Sequence, residues 1–103
     1  MEYRPIVGTE LKILSEIEPV DGVHMADMEF SCQFYTSEER PLIVTKEQMI
    51  KDSDDGYIAL VDTAGMEPGT LRNRMTFDIP DKDFADGYRR EIVDVPVGAK
   101  LHR

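Results

Sequence analysis

The stretch Leu71-Arg72-Asn73-Arg74-Met75-Thr76-Phe77-Asp78-Ile79-Pro80 decides the fold. Leu71, Met75, Phe77 and Ile79 share one parity, and Arg72, Arg74, Thr76 and Asp78 share the other. Side chains alternate across a strand, so this pattern predicts a β-strand with one buried face and one wet face. Asn73 interrupts the apolar parity and requires a hydrogen-bond partner if buried. Pro80 lacks a ladder donor and stops the strand.

Upstream, 28–35 alternates in the same way. Met28, Phe30, Cys32 and Phe34 point one way, and Glu29, Ser31 and Gln33 the other. A first strand spans 9–18, with Leu11, Ile13 and Ile17 inward and Lys12, Glu16 and Glu18 outward. Pro19 and Asp21-Gly22 turn the chain after it. At 57–62 both parities are apolar, Tyr57, Ala59 and Val61 against Ile58 and Leu60. That predicts a central strand covered on both faces, with a short buried helix as the alternative. The runs 42–44 and 88–95 are further strands, and 100–103 is a short last strand or a frayed end. Thr45-Lys46-Glu47-Gln48 fits a capping box that would let Met49 and Ile50 pack on the core, but the segment is too short for an independent helix. A single turn and a strand continuation both fit it.

Pro and Gly fall at near-strand intervals along the chain, which favours short strands over long helices. Six or seven such strands predict an all-β fold, an immunoglobulin-like antiparallel β-sandwich of about seven short strands. A small barrel is the alternative, because spacing does not separate the two. The expected core is Leu11, Ile13, Phe30, Cys32, Phe34, Leu60, Met75, Phe77 and Ile79.

The chain has 103 residues, 41% hydrophobic and 32% charged. This length suits one domain, 1–103, with a modest core. Twenty-one acids against twelve bases give a net charge of −9. Such a surface repels phosphate backbones and argues against nucleic acid as a partner. No apolar run is long enough for a membrane helix, and no secretory signal is visible at the N-terminus. A lone cysteine, Cys32, excludes an internal disulfide, and its apolar parity points to a buried, inert thiol.

Chemistry-bearing motifs are sparse. Asp81-Lys82-Asp83-Phe84-Ala85-Asp86-Gly87 begins like a calcium loop, but position 5 is Ala85 and position 12 is Ile92, where ligands are required. Asp52-Ser53-Asp54-Asp55-Gly56 has the wrong spacing and reads as a hairpin turn. His24 and His102 are too few and too far apart for an imidazole-based metal site. Gly65-Met66-Glu67-Pro68-Gly69 lacks phosphate-loop spacing. No nucleophile, base and oxyanion set emerges, so the expectation is a non-enzyme with no catalytic residues, no metal and no cofactor.

Two segments carry a resemblance: the Tyr57-Ile58-Ala59-Leu60-Val61-Asp62-Thr63 strand and the corner Ile79-Pro80-Asp81-Lys82-Asp83-Phe84-Ala85-Asp86-Gly87-Tyr88-Arg89. With the strand opening Leu11-Lys12-Ile13 and the Phe-rich 28–35, the chain resembles small prophage-encoded immunoglobulin-like structural proteins of gut bacteria. It is similar in layout to the N-terminal domain of phage baseplate upper proteins. The resemblance spans about residues 9–98. It implies a non-catalytic structural or assembly module of a phage particle, tail or baseplate associated. Such a module is made in the bacterial cytoplasm and contacts other virion proteins or itself, without membrane insertion. The alternative function is a carbohydrate- or cell-surface-binding sandwich, which would need Tyr3, Tyr35 and Tyr88 clustered on one face.

The 79–90 corner is the candidate interface. Asp81, Asp83 and Asp86 crowd a short loop closed by Gly87, with Arg89 and Arg90 following. The expectation is that Phe84 folds inward as a plug, buried Phe being the commoner fate. One or more of the aspartates should bond loop backbone or an arginine. In the alternative, Phe84 protrudes as an interface anchor flanked by acids.

Overall fold

The computed structural model describes residues 3–103. Seven strands form: β1 Glu10–Glu16, β2 Glu29–Tyr35, β3 Leu42–Thr45, β4 Ile50–Ser53, β5 Gly56–Asp62, β6 Gly69–Pro80 and β7 Tyr88–Leu101. Single 3-10 turns occupy Met25–Asp27 and Lys46–Gln48. The strands make two antiparallel sheets, ordered β1-β5-β4 and β3-β2-β6-β7. The fold is the expected β-sandwich, and its strand order is that of an immunoglobulin-like one.

The alternation read from 71–79 organises the core. Leu71, Asn73, Met75, Phe77 and Ile79 are all buried. Phe77 pairs in register with Phe30 on β2, and Met75 with Cys32. Phe30 meets Tyr57 of the other sheet edge-on at 4.9 Å between centroids, so this contact joins the two layers. Asn73 finds Ser15, donating from Nδ2 to Oγ at 3.1 Å, and thereby links β6 to β1. Burial pushes the Cys32 thiol pKa up, which keeps it protonated.

The turns are tied by specific bonds. Gln48 Oε1 accepts from the Thr45 N–H at 2.9 Å, as a capping box requires. Met49 then packs inside, whereas Ile50 lies exposed on β4. Lys46 Nζ donates to the carbonyls of Ala26 and Met28 at 2.9 and 2.7 Å, pinning one 3-10 turn to the other. The buried Thr63 hydroxyl donates to Thr9 O and accepts from the Gly8 N–H. Asp55 accepts from the Met25 N–H at 3.0 Å and pairs with His24 Nδ1 at 2.9 Å.

Three expectations are corrected. β5 is central in its sheet but covered on one face only. Tyr57, Ala59 and Val61 are buried, while Leu60 is 50% exposed on the outer face, because no layer packs there. Ile13 is half-buried, since β1 is an edge strand over an incompletely covered neighbour. Residues 88–95 and 100–103 do not form separate strands; β7 runs unbroken from Tyr88 through Leu101. A register shift opposite Thr70/Arg72 and the positive φ of Gly98, 78°, absorb the irregularity. Pro96 is tolerated because its missing N–H falls on the unpaired edge of β7.

Phe77→Ala should destabilise the fold by about 3–5 kcal/mol, whereas Leu60→Ala should cost less than about 1 kcal/mol. Paired urea denaturation curves check the contrast; equal losses would contradict the face assignment. The His24–Asp55 pair generates a pH dependence. Its hydrogen bond and charge raise His24 above its ordinary 6.5 and lower Asp55 below 3.8. The histidine contribution is full below its unfolded pKa and is lost as pH rises through the raised one. The Asp55 contribution is present above its unfolded pKa and is lost as pH falls through the depressed one. Thermal melts between those limits should therefore show a stability excess that Asp55→Asn removes.

Candidate functional site

The antiparallel β6–β7 pair extends from Gly69↔Leu101 to Pro80↔Tyr88 and carries the 81–87 loop at its end. The loop is closed by its own backbone. Asp81 N–H donates to Gly87 O at 2.9 Å, Gly87 N–H to Phe84 O at 2.9 Å, and Phe84 N–H to Asp81 O at 3.3 Å. Two carboxylates reinforce it: Asp81 Oδ1 accepts from the Asp83 N–H at 3.0 Å and Asp86 Oδ1 from the Tyr88 N–H at 3.1 Å. Gly87 supplies the positive φ, 83°, that the return requires. Aspartate is used here because its short side chain satisfies amides two residues on.

The expected backbone bonds to Asp81 and Asp86 are present, and Asp83 takes part through its amide. Phe84 corrects the plug expectation. It is 46% exposed. The hairpin carries the loop past Ile79, the last buried residue of β6, so no core lies within reach. Tyr88 and Ile92, on the outward parity of β7, are likewise 47% and 61% exposed.

Charge surrounds this apolar end. Arg90 Nε lies 3.0 Å from Asp78 Oδ1 across the β6–β7 pair. Half-buried Arg89 lies 3.3 Å from Asp21, 3.4 Å from Glu91 and 3.7 Å from Asp81, and so ties the loop to the turn after β1. Glu29, Asp78, Asp86, Tyr88 and Arg90 line a concavity of about 560 Å³ beside the tip. The candidates Asp81, Asp83, Phe84, Asp86, Arg89 and Arg90 are thus together at one end, with the arginines on opposite faces of β7.

A second cluster, on the outer face of the four-stranded sheet, was missed from sequence. Asp94 accepts from the Tyr35 hydroxyl, from Arg72 Nε at 3.0 Å and from Arg74 Nε at 3.2 Å. Arg74 also reaches Glu38 at 2.5 Å and stacks on the Tyr35 ring at 5.1 Å. The Tyr35 bond and the Arg72 bond hold the Asp94 carboxyl below its usual range, and the Asp94 bond raises the Tyr35 hydroxyl. Cross-strand registers Tyr35↔Arg72 and Arg74↔Asp94 build the cluster. They follow from strand pairing that no local pattern reveals.

Tyr35 is buried under these arginines, so Tyr3, Tyr35 and Tyr88 do not make a common platform. Among the described residues no three His, Cys, Asp or Glu side chains converge as metal ligands, and no helix is long and apolar enough to cross a membrane. No family model, curated protein or solved structure matches the chain.

Asp94→Asn should lower the Tyr35 hydroxyl pKa toward its ordinary range, since the hydrogen bond that contributes most to raising it is lost. A UV-monitored alkaline titration reads this directly. An unchanged high-pH phase would exclude the coupling.

Proposed function

We propose that the chain is a non-catalytic assembly module that works by protein–protein contact, with the 81–92 end of the β6–β7 hairpin as its docking element. The virion setting implied by the sequence resemblance, in a phage or prophage tail or baseplate, belongs to the same proposal. One observation carries the contact reading. Phe84 stands exposed on a loop whose backbone is closed by its own hydrogen bonds, and Tyr88 and Ile92 stand exposed on the strand that follows. A rigid aromatic surrounded by charge binds at low entropic cost, and the flanking Asp81, Asp83 and Asp86 select a partner with basic groups.

The arginines have a supporting role. Arg89 is held by three carboxylates and anchors the loop, whereas Arg90 sits 67% exposed beside Asp78. Exposed pairs of this kind contribute only about 0–1 kcal/mol to stability. Their value lies in orientation and partner choice.

Phe84→Ala separates docking from folding. The melting temperature should stay within about one degree of the parent, because the side chain leaves no core cavity. Crosslinks from the hairpin end to a partner protein in the producing cells should disappear. A drop of several degrees, or crosslinking that survives the substitution, would refute the docking role. Binding to glycans that Tyr88→Ala abolishes would favour the carbohydrate reading instead. The setting has its own check: capsid, tail or lysis genes beside this gene support it, and a metabolic neighbourhood counts against it.

A further inference from the structure

The sandwich is incomplete along one side. Three strands face four, and β7 is the strand left without a counterpart. Val93 and Val95 share the inward parity of buried Met75 and Asn73, yet they are 39% and 36% exposed. Across from them runs β1. The groove between holds cavities of about 260 and 210 Å³, the first lined by Ile13 and Val95 and the second by Ile17 and Val93. Residues 3–6 close only its far end, through parallel bridges from Tyr3 to Ala99 and from Ile6 to His102.

β1 itself has a vacant edge among the described residues. It pairs with β5, and the Ile17 N–H to Asp55 O bond of 3.1 Å sets which residues face that partner. Hydrogen-bonding direction alternates along an antiparallel strand, so Lys12, Leu14 and Glu16 turn their amides and carbonyls to the open side. In immunoglobulin sandwiches of this strand order, a further strand lies beside the equivalent of β1.

We propose that the free edge of β1 is a strand-addition site for an extended segment of another protein that alternates aliphatic and basic residues. The added strand bonds the amides of Lys12, Leu14 and Glu16. Its aliphatic parity enters the groove over Val93 and Val95. Its basic parity lies on the outer face, where Glu10 and Glu16 flank and outnumber Lys12 and long basic stems also cover exposed Leu14. Glu91 borders the groove on the β7 side, where Arg89 already faces Asp21, Asp81 and Glu91. A second copy of this chain is the poorer occupant, because it brings a net −9 against −9. This site borders the hairpin end at Glu91 but does not depend on the docking role given to Phe84.

The probe is a labelled synthetic peptide of alternating valine and lysine, with a block-sequence peptide of the same composition as control. Fluorescence anisotropy should show salt-sensitive binding of the alternating peptide, and hydrogen exchange should slow at Lys12, Leu14 and Glu16. Val95→Asp, in the groove floor, and Leu14→Pro, at the edge donor, should each weaken binding by about tenfold or more. Glu16→Lys, which reverses a charge at the groove's rim, should weaken it as well. Phe84→Ala should bind as well as the parent, which keeps this test apart from that of the hairpin end. Equal binding of the block peptide, no protection on β1, or protection on β3 or β4 instead would overturn the proposal. So would self-association of the chain that protects the same β1 amides without peptide.

Discussion

The contact of Phe30 with Tyr57 and Phe77 holds the molecule together. Phe30 meets Tyr57 edge-on at 4.9 Å and Phe77 at 5.7 Å, so one ring spans both layers and both central strands of its own sheet. Lys46 lies over the outer side of the same ring at 5.7 Å while its ammonium holds two carbonyls of the 25–27 turn and its flank. The crossing between sheets is therefore fastened at this cluster of rings. Strand register, and with it the position of every charged pair on the outer faces, is set by that packing, because a one-residue slip would turn Phe30 or Phe77 to water.

How much of this was legible depended on whether the signal was local. Period-two alternation at 28–35 and 71–79 is carried within one strand, and both strands were read with their faces correct. Asn73 was correctly marked as needing a partner, though Ser15 is far away in sequence. Leu60 was misplaced because an apolar run on both parities signals burial on both faces, and only the layer count shows that one face is bare. Phe84 was misplaced for a related reason: residue type predicts burial only where a core is within reach. The Asp94 cluster depends on three strands coming into register, and its members look like unrelated surface charges in the sequence.

The two outer faces carry different side chains. On the four-stranded sheet, Arg72, Arg74, Asp94, Tyr35 and Glu38 satisfy one another, while Ile43 and Ile92 on the same face stay exposed. On the three-stranded sheet, Leu14, Ile50 and Leu60 stand open to solvent. An acidic chain keeps such a face from general aggregation through its overall charge.

The parallel bridges from Tyr3 to Ala99 and from Ile6 to His102 bear on the order of folding. Residues 3–6 find their partners across nearly the whole length of the domain. Ala99 and Leu101, both buried, belong to the same closure. β2 can pair with β3 and β1 with β5 before β7 docks, but the far end of the core closes only with it. The barrier to folding is then dominated by contacts of long sequence separation, which places this small protein among slow folders. Until β7 is in place, β6 presents an open edge, and a partly folded chain can associate there before it reaches the native state.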